Sequence, residues 1–570
     1  MLLVGESGVG KSTWINSFAN YLNFSSLKKA VEAGGLFPID CTFAIANPQN
    51  EQVMTISSKC NDENLSQDDQ VGESVTQNPQ EYVFEYENTL ITLIDTPGLM
   101  DTADTSDHHK DKEHISNILR LLSAYDEIHA ICIFLKAGES RLSSTLKYTL
   151  TEILTHLDKG ACNNVIFIFT YARSENFKSG KTLPILEKFL KENRLPIRLR
   201  TRNEPTIYCF ENGTMQYIVQ CINKIPETKE NEKDLQESWK RSVESTKKML
   251  QYVRSLNPHS LANIKAMYIA EHTIGVLSEL VLETLMGILK DEDNLEQKRK
   301  AAEELKARIK EHPVHFAKDD LRQLLFIKRT KVEYRPLGHT NVVCKQCSVD
   351  ICCEKCECSV MYFCDKMTWN PWSSECKICG CEKDKHEWRT TETVTVEEPI
   401  YCPDESVIAK IVDSDSAVGE IEEAIEKCEN RIETCKNETK QMLKICAKLN
   451  TVVCKNALIK HVDVFKGGLQ NIIERYKRAN RNRNTGVAYL EEIQSQYETF
   501  SAKAAKKKAS DNRFTVDELI LQLHELPMNG KDLKIAMAEE KNAMHQAVEN
   551  YRKSNTVIRR GTKSAVCVIL

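Results

Sequence analysis

The chain has 570 residues, a net charge of −5, 28% charged residues and only 7% aromatic residues. That length exceeds what one hydrophobic core supports and implies about three or four structural units. The slightly acidic balance excludes nucleic-acid binding by the chain as a whole and leaves room only for a local basic patch.

Ten of the 22 cysteines lie between Cys344 and Cys381, and the first residues run straight into a glycine-rich loop rather than a secretory leader. Dense cysteines without secretion read as metal ligands rather than disulfides. No apolar run is expected to reach the roughly 20 residues of a bilayer span. The nearest, 273–289, is interrupted by Glu279 and Glu283.

From residue 1 to 225 apolar runs alternate with amphipathic segments. Strands are predicted at 2–4, 53–57, 82–86, 90–95, 129–135, 164–170 and 206–210. Helices are predicted near 11–21, 110–125, 141–156, 182–193 and 213–224. This alternation predicts a mostly parallel sheet covered on both faces. The first strand, Leu2, Leu3 and Val4, is short for a central one. The polar segment 61–80 reads as a surface insertion.

Between the first strand and helix stands Gly5-Glu6-Ser7-Gly8-Val9-Gly10-Lys11-Ser12-Thr13. Its glycines let the backbone wrap phosphate oxygens, and the helix behind offers free N–H groups and a favourable dipole. Lys11 is placed to reach the outer phosphates, and the Ser12 hydroxyl to reach Mg²⁺. The strand 90–95 carries Asp95 to the carboxyl edge of the sheet, where open α/β folds bind ligands. Asp95 then serves Mg²⁺, and the N–H of Gly98 senses the γ-phosphate. Thr42 is either the threonine that completes the Mg²⁺ shell, working with Lys11 in catalysis, or an ordinary threonine at a strand start.

These residues carry a resemblance. The phosphate loop, followed by Asp95-Thr96-Pro97-Gly98-Leu99-Met100-Asp101-Thr102, resembles the septin-like branch of GTPases, which includes the GTPases of immunity-associated proteins. The segments 136–142 and 167–173 resemble a group of long multidomain members, and 237–243 and 523–533 do so more thinly. The resemblance implies a P-loop GTPase domain over 1–225, binding GTP and GDP with Mg²⁺ and often acting through paired G domains. Two departures stand out. The strand that should end in a guanine-reading Asn/Thr-Lys-x-Asp ends Thr170-Tyr171-Ala172-Arg173, and Arg173 cannot accept a hydrogen bond from the base. Glu175 is the candidate substitute acceptor. Leu99 stands where many small GTPases place a water-orienting glutamine, so slow hydrolysis, or nucleotide binding without turnover as a scaffold, is expected unless a second copy helps. His108, His109 and Arg141 are helpers or plain surface residues.

Residues 226–330 read as a helical region and 331–402 as a small cysteine-rich, zinc-binding module. Cys344, Cys347, Cys353, Cys356, Cys358, Cys364, Cys376, Cys379, Cys381 and His386 have zinc-ligand spacing. Unmetallated thiols are one alternative. A RING-type ligase is disfavoured, because no histidine lies between the cysteine pairs. Residues 403–550 return to helical, coiled-coil character. Val418, Ile421, Ile425, Cys428, Ile432, Cys435, Thr439, Met442, Cys446 and Leu449 form a heptad seam. It can pair two chains or fold back on a helix of its own chain. Gly467-Gly468 and 480–486 read as breaks, and 502–510 as a solvated lysine-rich face. The basic tail 551–570 ends Cys567-Val568-Ile569-Leu570, a prenylation box whose final leucine favours geranylgeranyl. With Arg552, Lys553, Arg559, Arg560 and Lys563 as a second signal, it predicts a peripheral protein on the cytoplasmic face of a membrane.

Overall fold

The computed structural model describes residues 1–46, 53–59, 79–99, 108–141, 143–200, 202, 204–225, 229–311, 325–344, 351–355, 366, 376–381, 386–401, 414–459, 463–479, 484–506, 515–553 and 556–558. Two compact units emerge. One comprises Met1–Tyr268, Asn456–His461 and Asn542–Leu570, the other Ile269–Lys455 and Val462–Lys541.

The first unit opens with β1 (Leu2–Gly5), α1 (Lys11–Asn23), α2 (Leu27–Ala33), β2 (Thr42–Ala46), β3 (Val53–Ser57), β4 (Gln80–Tyr86) and β5 (Thr89–Asp95). It continues with α3 (His108–Leu122), β6 (Glu127–Ile128), β7 (Ile131–Lys136), α4 (Ser144–Thr155), β8 (Val165–Thr170) and α5 (Thr182–Glu192). Then follow β9 (Ile207–Cys209), α6 (Gly213–Ile222), α7 (Lys229–Ser255), β10 (His259–Ser260) and α8 (Ala262–Glu311). Every strand expected in this region is present within a few residues. The second strand and the second helix, α2, lay outside the expectation.

The central strands β1, β7 and β8 are apolar up to the closing Lys136 of β7 and Thr170 of β8, as strands buried on both faces are. Parallel pairing joins β5, β1, β7, β8 and β9. β4 adds antiparallel to β5, and β13 (Thr556–Ile558) pairs parallel with β4, making seven strands. Two apolar layers cover the sheet. One gathers Leu2, Val4 and Ile133 with Leu119 and Leu154, the other Leu3, Phe134 and Ile168 with Trp14, Phe18 and Trp239. The short β1 is in register with β7 over all four of its residues.

The second unit holds most of α8, then β11 (Ile327–Cys344), β12 (His386–Tyr401), α9 (Ser414–Asn456), α10 (Val464–Ala479), α11 (Asn484–Lys506), α12 (Val516–His524) and the first half of α13 (Gly530–Lys553). β11 and β12 form one long antiparallel hairpin, shifted in register between Pro336 and Asn341. The cysteine-rich region is therefore built on strands, which its composition did not suggest.

The structure favours one of the two readings of the heptad seam and corrects two other expectations. The heptad seam on α9 is buried against its own chain: Ile421 and Cys428 pack with Ala302, Leu305 and Leu325, and Ile432 and Cys435 pack with Ile288. The seam is consumed inside the unit, so pairing of two chains cannot rest on it. Gly467-Gly468 lies within α10 and breaks nothing. The stretch Ala262–Arg308 is, by length and composition, long and apolar enough to cross a membrane, contrary to the sequence reading. Its inward face, including Ile288, packs on α9 as a core helix does.

Candidate nucleotide site

β1 delivers the loop at Gly5, and α1 begins at Lys11, leaving 6–10 to wrap. Gly8 and Gly10 hold φ of +66° and +89°, the left-handed region that a side chain disfavours. Gly10 is also the cap of α1 and supplies no side-chain cap bond, so the positive end of the helix dipole faces the loop. Lys11 is 6% exposed, and its ammonium donates to the carbonyls of Gly5 and Glu6, both at 3.1 Å. A cation is thus held over the loop's concavity by two weakly bonded carbonyls.

The loop is locked to the end of β5. The Ser12 hydroxyl donates to Asp95 Oδ2 at 3.1 Å, and the Asp95 carboxylate is fully buried. The Thr96 hydroxyl donates to the carbonyl of Leu3 at 2.7 Å. Ser7 N–H donates to Leu99 O at 2.9 Å, and Leu99 N–H to Gly5 O at 3.2 Å. A Cβ on Gly98 would stand 2.5 Å from Ser7 Cα, so only glycine allows this approach. A hydroxyl and a carboxylate at hydrogen-bond distance beside a phosphate loop are the hard oxygen donors that Mg²⁺ selects. The Leu99 side chain is 2% exposed and packs in the core with Leu2, Val4 and Ile94, so it orients no water.

The opposite wall comes from the ends of β8 and β9. The Thr170 hydroxyl donates to Val9 O at 2.7 Å, tying β8 to the loop. Tyr171 has φ of +54°, its ring half exposed, with Cε2 about 4.0 Å from where a Cβ on Gly10 would lie. Burial raises its hydroxyl above the ordinary tyrosine value, with Glu211 adding to the rise, so it stays neutral. Asn212 Nδ2 donates to Gly10 O at 3.4 Å, while its Oδ1 is buried without a protein partner. Burial also raises the Glu6 carboxyl, with Lys136 and Lys11 opposing.

Arg173 is engaged elsewhere. Its guanidinium donates to Asn231 Oδ1 and to Asp234 Oδ2, the latter at 2.8 Å, so it braces α7. Its N–H donates to Glu211 Oε2, whose other oxygen accepts from Gly213 N–H. Glu175 is packed against the turn at Gly180. Thr13 stands in the first turn of α1, and Thr42 opens β2 opposite Ser57. Arg141 is exposed, and His108 and His109 begin α3.

Tyr171, Glu211 and Asn212 were missed in the sequence because they flank the loop only after β8 and β9 align. The signal was their place just past two buried apolar strands. Of the expected zinc ligands, Cys344, Cys353, Cys376, Cys379, Cys381 and His386 are described. Cys347, Cys356, Cys358 and Cys364 lie outside the described residues, as does Cys567.

A family model described as the AIG1 family matches residues 64–251, 188 of the 570 residues, beginning downstream of the phosphate loop. With the parallel sheet and the loop geometry, this match supports a P-loop GTPase fold for the first unit. No curated protein matches the chain. Among solved structures the chain is similar to one titled LeoA bacterial dynamin GTPase from ETEC, at 10% identity. That alignment covers 97% of this chain and 87% of the other with a TM-score of 0.18, a likeness too slight to argue from.

Proposed function

We propose that this chain is a guanine-nucleotide-binding protein that hydrolyses GTP with Mg²⁺, slowly on its own. The observation that carries the reading is the lock between Ser12 and Asp95 beside the capped Lys11, a paired hydroxyl and carboxylate at the mouth of a phosphate loop. Lys11 would exchange its two carbonyl partners for β- and γ-phosphate oxygens, gaining charge-assisted bonds. Ser12 and Asp95 would hold the magnesium, which neutralises charge developing on the phosphates. Thr42 would join them by movement of the segment leading into β2. The base would lie on Tyr171, with the buried Asn212 amide at its edge, since Arg173 is committed to α7.

Leu99 is core, so the hydrolytic group must come from outside the loop. Self-association through G domains is the expected source, because the α9 seam is unavailable for it. Nucleotide binding without turnover is the second reading, and the burial of Leu99 favours it. We further read Cys567 as geranylgeranylated and the basic tail as a membrane contact, and the cysteine-rich segment as holding structural zinc.

Affinity titrations and turnover over a hundredfold range of protein concentration test the reading. Lys11→Ala should abolish measurable GTP and GDP binding. Equal affinity in wild type and Lys11→Ala would overturn the site, and equal affinity for ATP and GTP would remove guanine from it. Specific activity rising with concentration supports paired G domains. A flat profile removes pairing, and no turnover at any concentration leaves the scaffold reading.

A further inference from the structure

The far end of the β11–β12 hairpin, near Cys344 and His386, gathers sulfur and imidazole from four separate stretches of sequence. Val342 is fully buried there and is clasped by the returning chain: its N–H donates to Cys353 O at 2.8 Å, and Cys352 N–H donates to Val342 O at 2.7 Å. Cys352 is thereby turned inward, 3% exposed. The turn Cys376–Gly380 closes with Gly380 N–H on Cys376 O at 2.8 Å and with Gly380 at φ +72°. Within it, Ile378 N–H points at Cys376 Sγ from 3.4 Å, the bond that steadies a thiolate in a Cys-x2-Cys turn. His386 opens β12 opposite Cys344, and its Nε2 lies 3.2 Å from Cys379 Sγ.

One donor atom from each of Cys352, Cys376, Cys379 and His386 lies within 4.8 Å of the other three. Tetrahedral zinc, with bonds of about 2.3 Å to sulfur and 2.0–2.1 Å to nitrogen, spaces its ligands about 3.5–3.8 Å apart. Small side-chain rotations cover the difference. The local core argues in the same direction. Its buried members are Val342, Cys352 and Cys376, with Cys344, Cys353 and Cys379 beside them. Among the described residues this core holds one valine and a handful of thiols, an apolar surface too small to hold them together without a staple.

The structure assigns a closed zinc site to Cys352, Cys376, Cys379 and His386, one ion that pins the two returning segments to the end of the hairpin. This deepens the structural-zinc reading above and rests on it. Cys352 replaces its neighbour Cys353 as ligand. Among the described residues, Cys344, Cys379 and Cys381 form a second group within 4.8 Å, which supplies three thiols and shares Cys379. Four protein ligands leave no open position, so the ion stabilises the fold rather than acting on a substrate.

The test is metal content by mass spectrometry of the full-length chain, purified without chelator, with cobalt replacement read by visible absorption. At least one zinc per chain is expected, and the cobalt form should show tetrahedral bands with thiolate charge transfer. Cys352→Ser, Cys379→Ser and His386→Ala should each lower metal affinity by at least a hundredfold. Cys344→Ser, Cys353→Ser and Cys381→Ser should keep it within about threefold. If a ligand variant fails to fold, release of zinc from the wild-type chain to a competing chelator, followed by circular dichroism, gives the same answer by loss of the hairpin signal. A folded wild-type chain without metal, or with a disulfide among these cysteines, overturns both the site and structural zinc. Zinc kept in Cys352→Ser but lost in Cys353→Ser or Cys344→Ser overturns this ligand set alone. Lys11→Ala should retain its zinc, which separates this outcome from any failure of nucleotide binding.

Discussion

Replacing Tyr171 by alanine tests the base-binding wall with little risk to the fold. The ring is half exposed and packs beside Gly10, so truncation should move stability by less than about 0.5 kcal/mol. Alanine keeps the Cβ at φ +54°, adding no strain. Glycine is the wrong choice, because it would relieve roughly 1–2 kcal/mol of left-handed strain and blur the reading. A base stacked on an aromatic ring is worth about 1–3 kcal/mol by alanine substitution. At 1.4 kcal/mol per decade this predicts GDP affinity lower by about 5- to 150-fold. Calorimetric titration of GDP and of inorganic tripolyphosphate, each with Mg²⁺, separates base from phosphate. GDP binding should fall and tripolyphosphate binding should hold, and Tyr171→Phe should restore GDP. An alanine variant binding GDP within about twofold of wild type would refute the stacking argument.

Other perturbations probe other parts of the chain. Glu438, 2% exposed, accepts from the N–H groups of Met528 and Asn529 and from the Asn529 amide, joining α9 to the start of α13. Glu438→Ala strands these buried donors, and urea unfolding should show about 2–4 kcal/mol lost, with no change in GTP affinity. Burial pushes the Asp158 carboxyl up, but hydrogen bonds from His259, Asn263 and Gly160 N–H outweigh it and hold it below its ordinary value. A depressed carboxyl stabilises above its unfolded pKa, and that contribution is lost as pH falls through the lower folded value. Urea midpoints should therefore fall more steeply between pH 5 and pH 3 in wild type than in Asp158→Asn. Intact-mass analysis of protein from eukaryotic cells should show a geranylgeranyl group and loss of the last three residues. Cys567→Ser should leave the membrane fraction, and retention there at the wild-type level would count against lipid anchoring.

The phosphate loop was legible because its chemistry is local: glycines, a lysine and a serine must be adjacent in sequence to wrap one phosphate. The strands around it were legible because burial on both faces demands an unbroken apolar run. Legibility ended where partners come from far away. The period of Ile421, Cys428 and Cys435 shows which face of α9 is buried, yet nothing in a period names Leu305 or Ile288 as the cover. Tyr171 and Asn212 meet Gly10 only because β8 and β9 sit in register. Cys352 was passed over because ligands were paired by spacing along the chain, whereas its partner His386 arrives through the hairpin. That hairpin was itself obscured by the charges of 327–344 and by Pro336.

The sheet of the first unit also has an edge to defend. Without β13, the antiparallel strand β4 would present a row of bare N–H and C=O groups along its outer side, a template for a strand from another copy. Three residues near the end of the chain close that row, a short ladder and therefore an easily unzipped one. Cys567 follows Ile558 by nine residues, a leash of at most about 30 Å when fully extended. Tension on a tethered tail would then fall first on this ladder. Were Cys567 to carry the lipid proposed above, a pull there would bare the edge of this sheet, making it self-complementary only where chains are already held side by side.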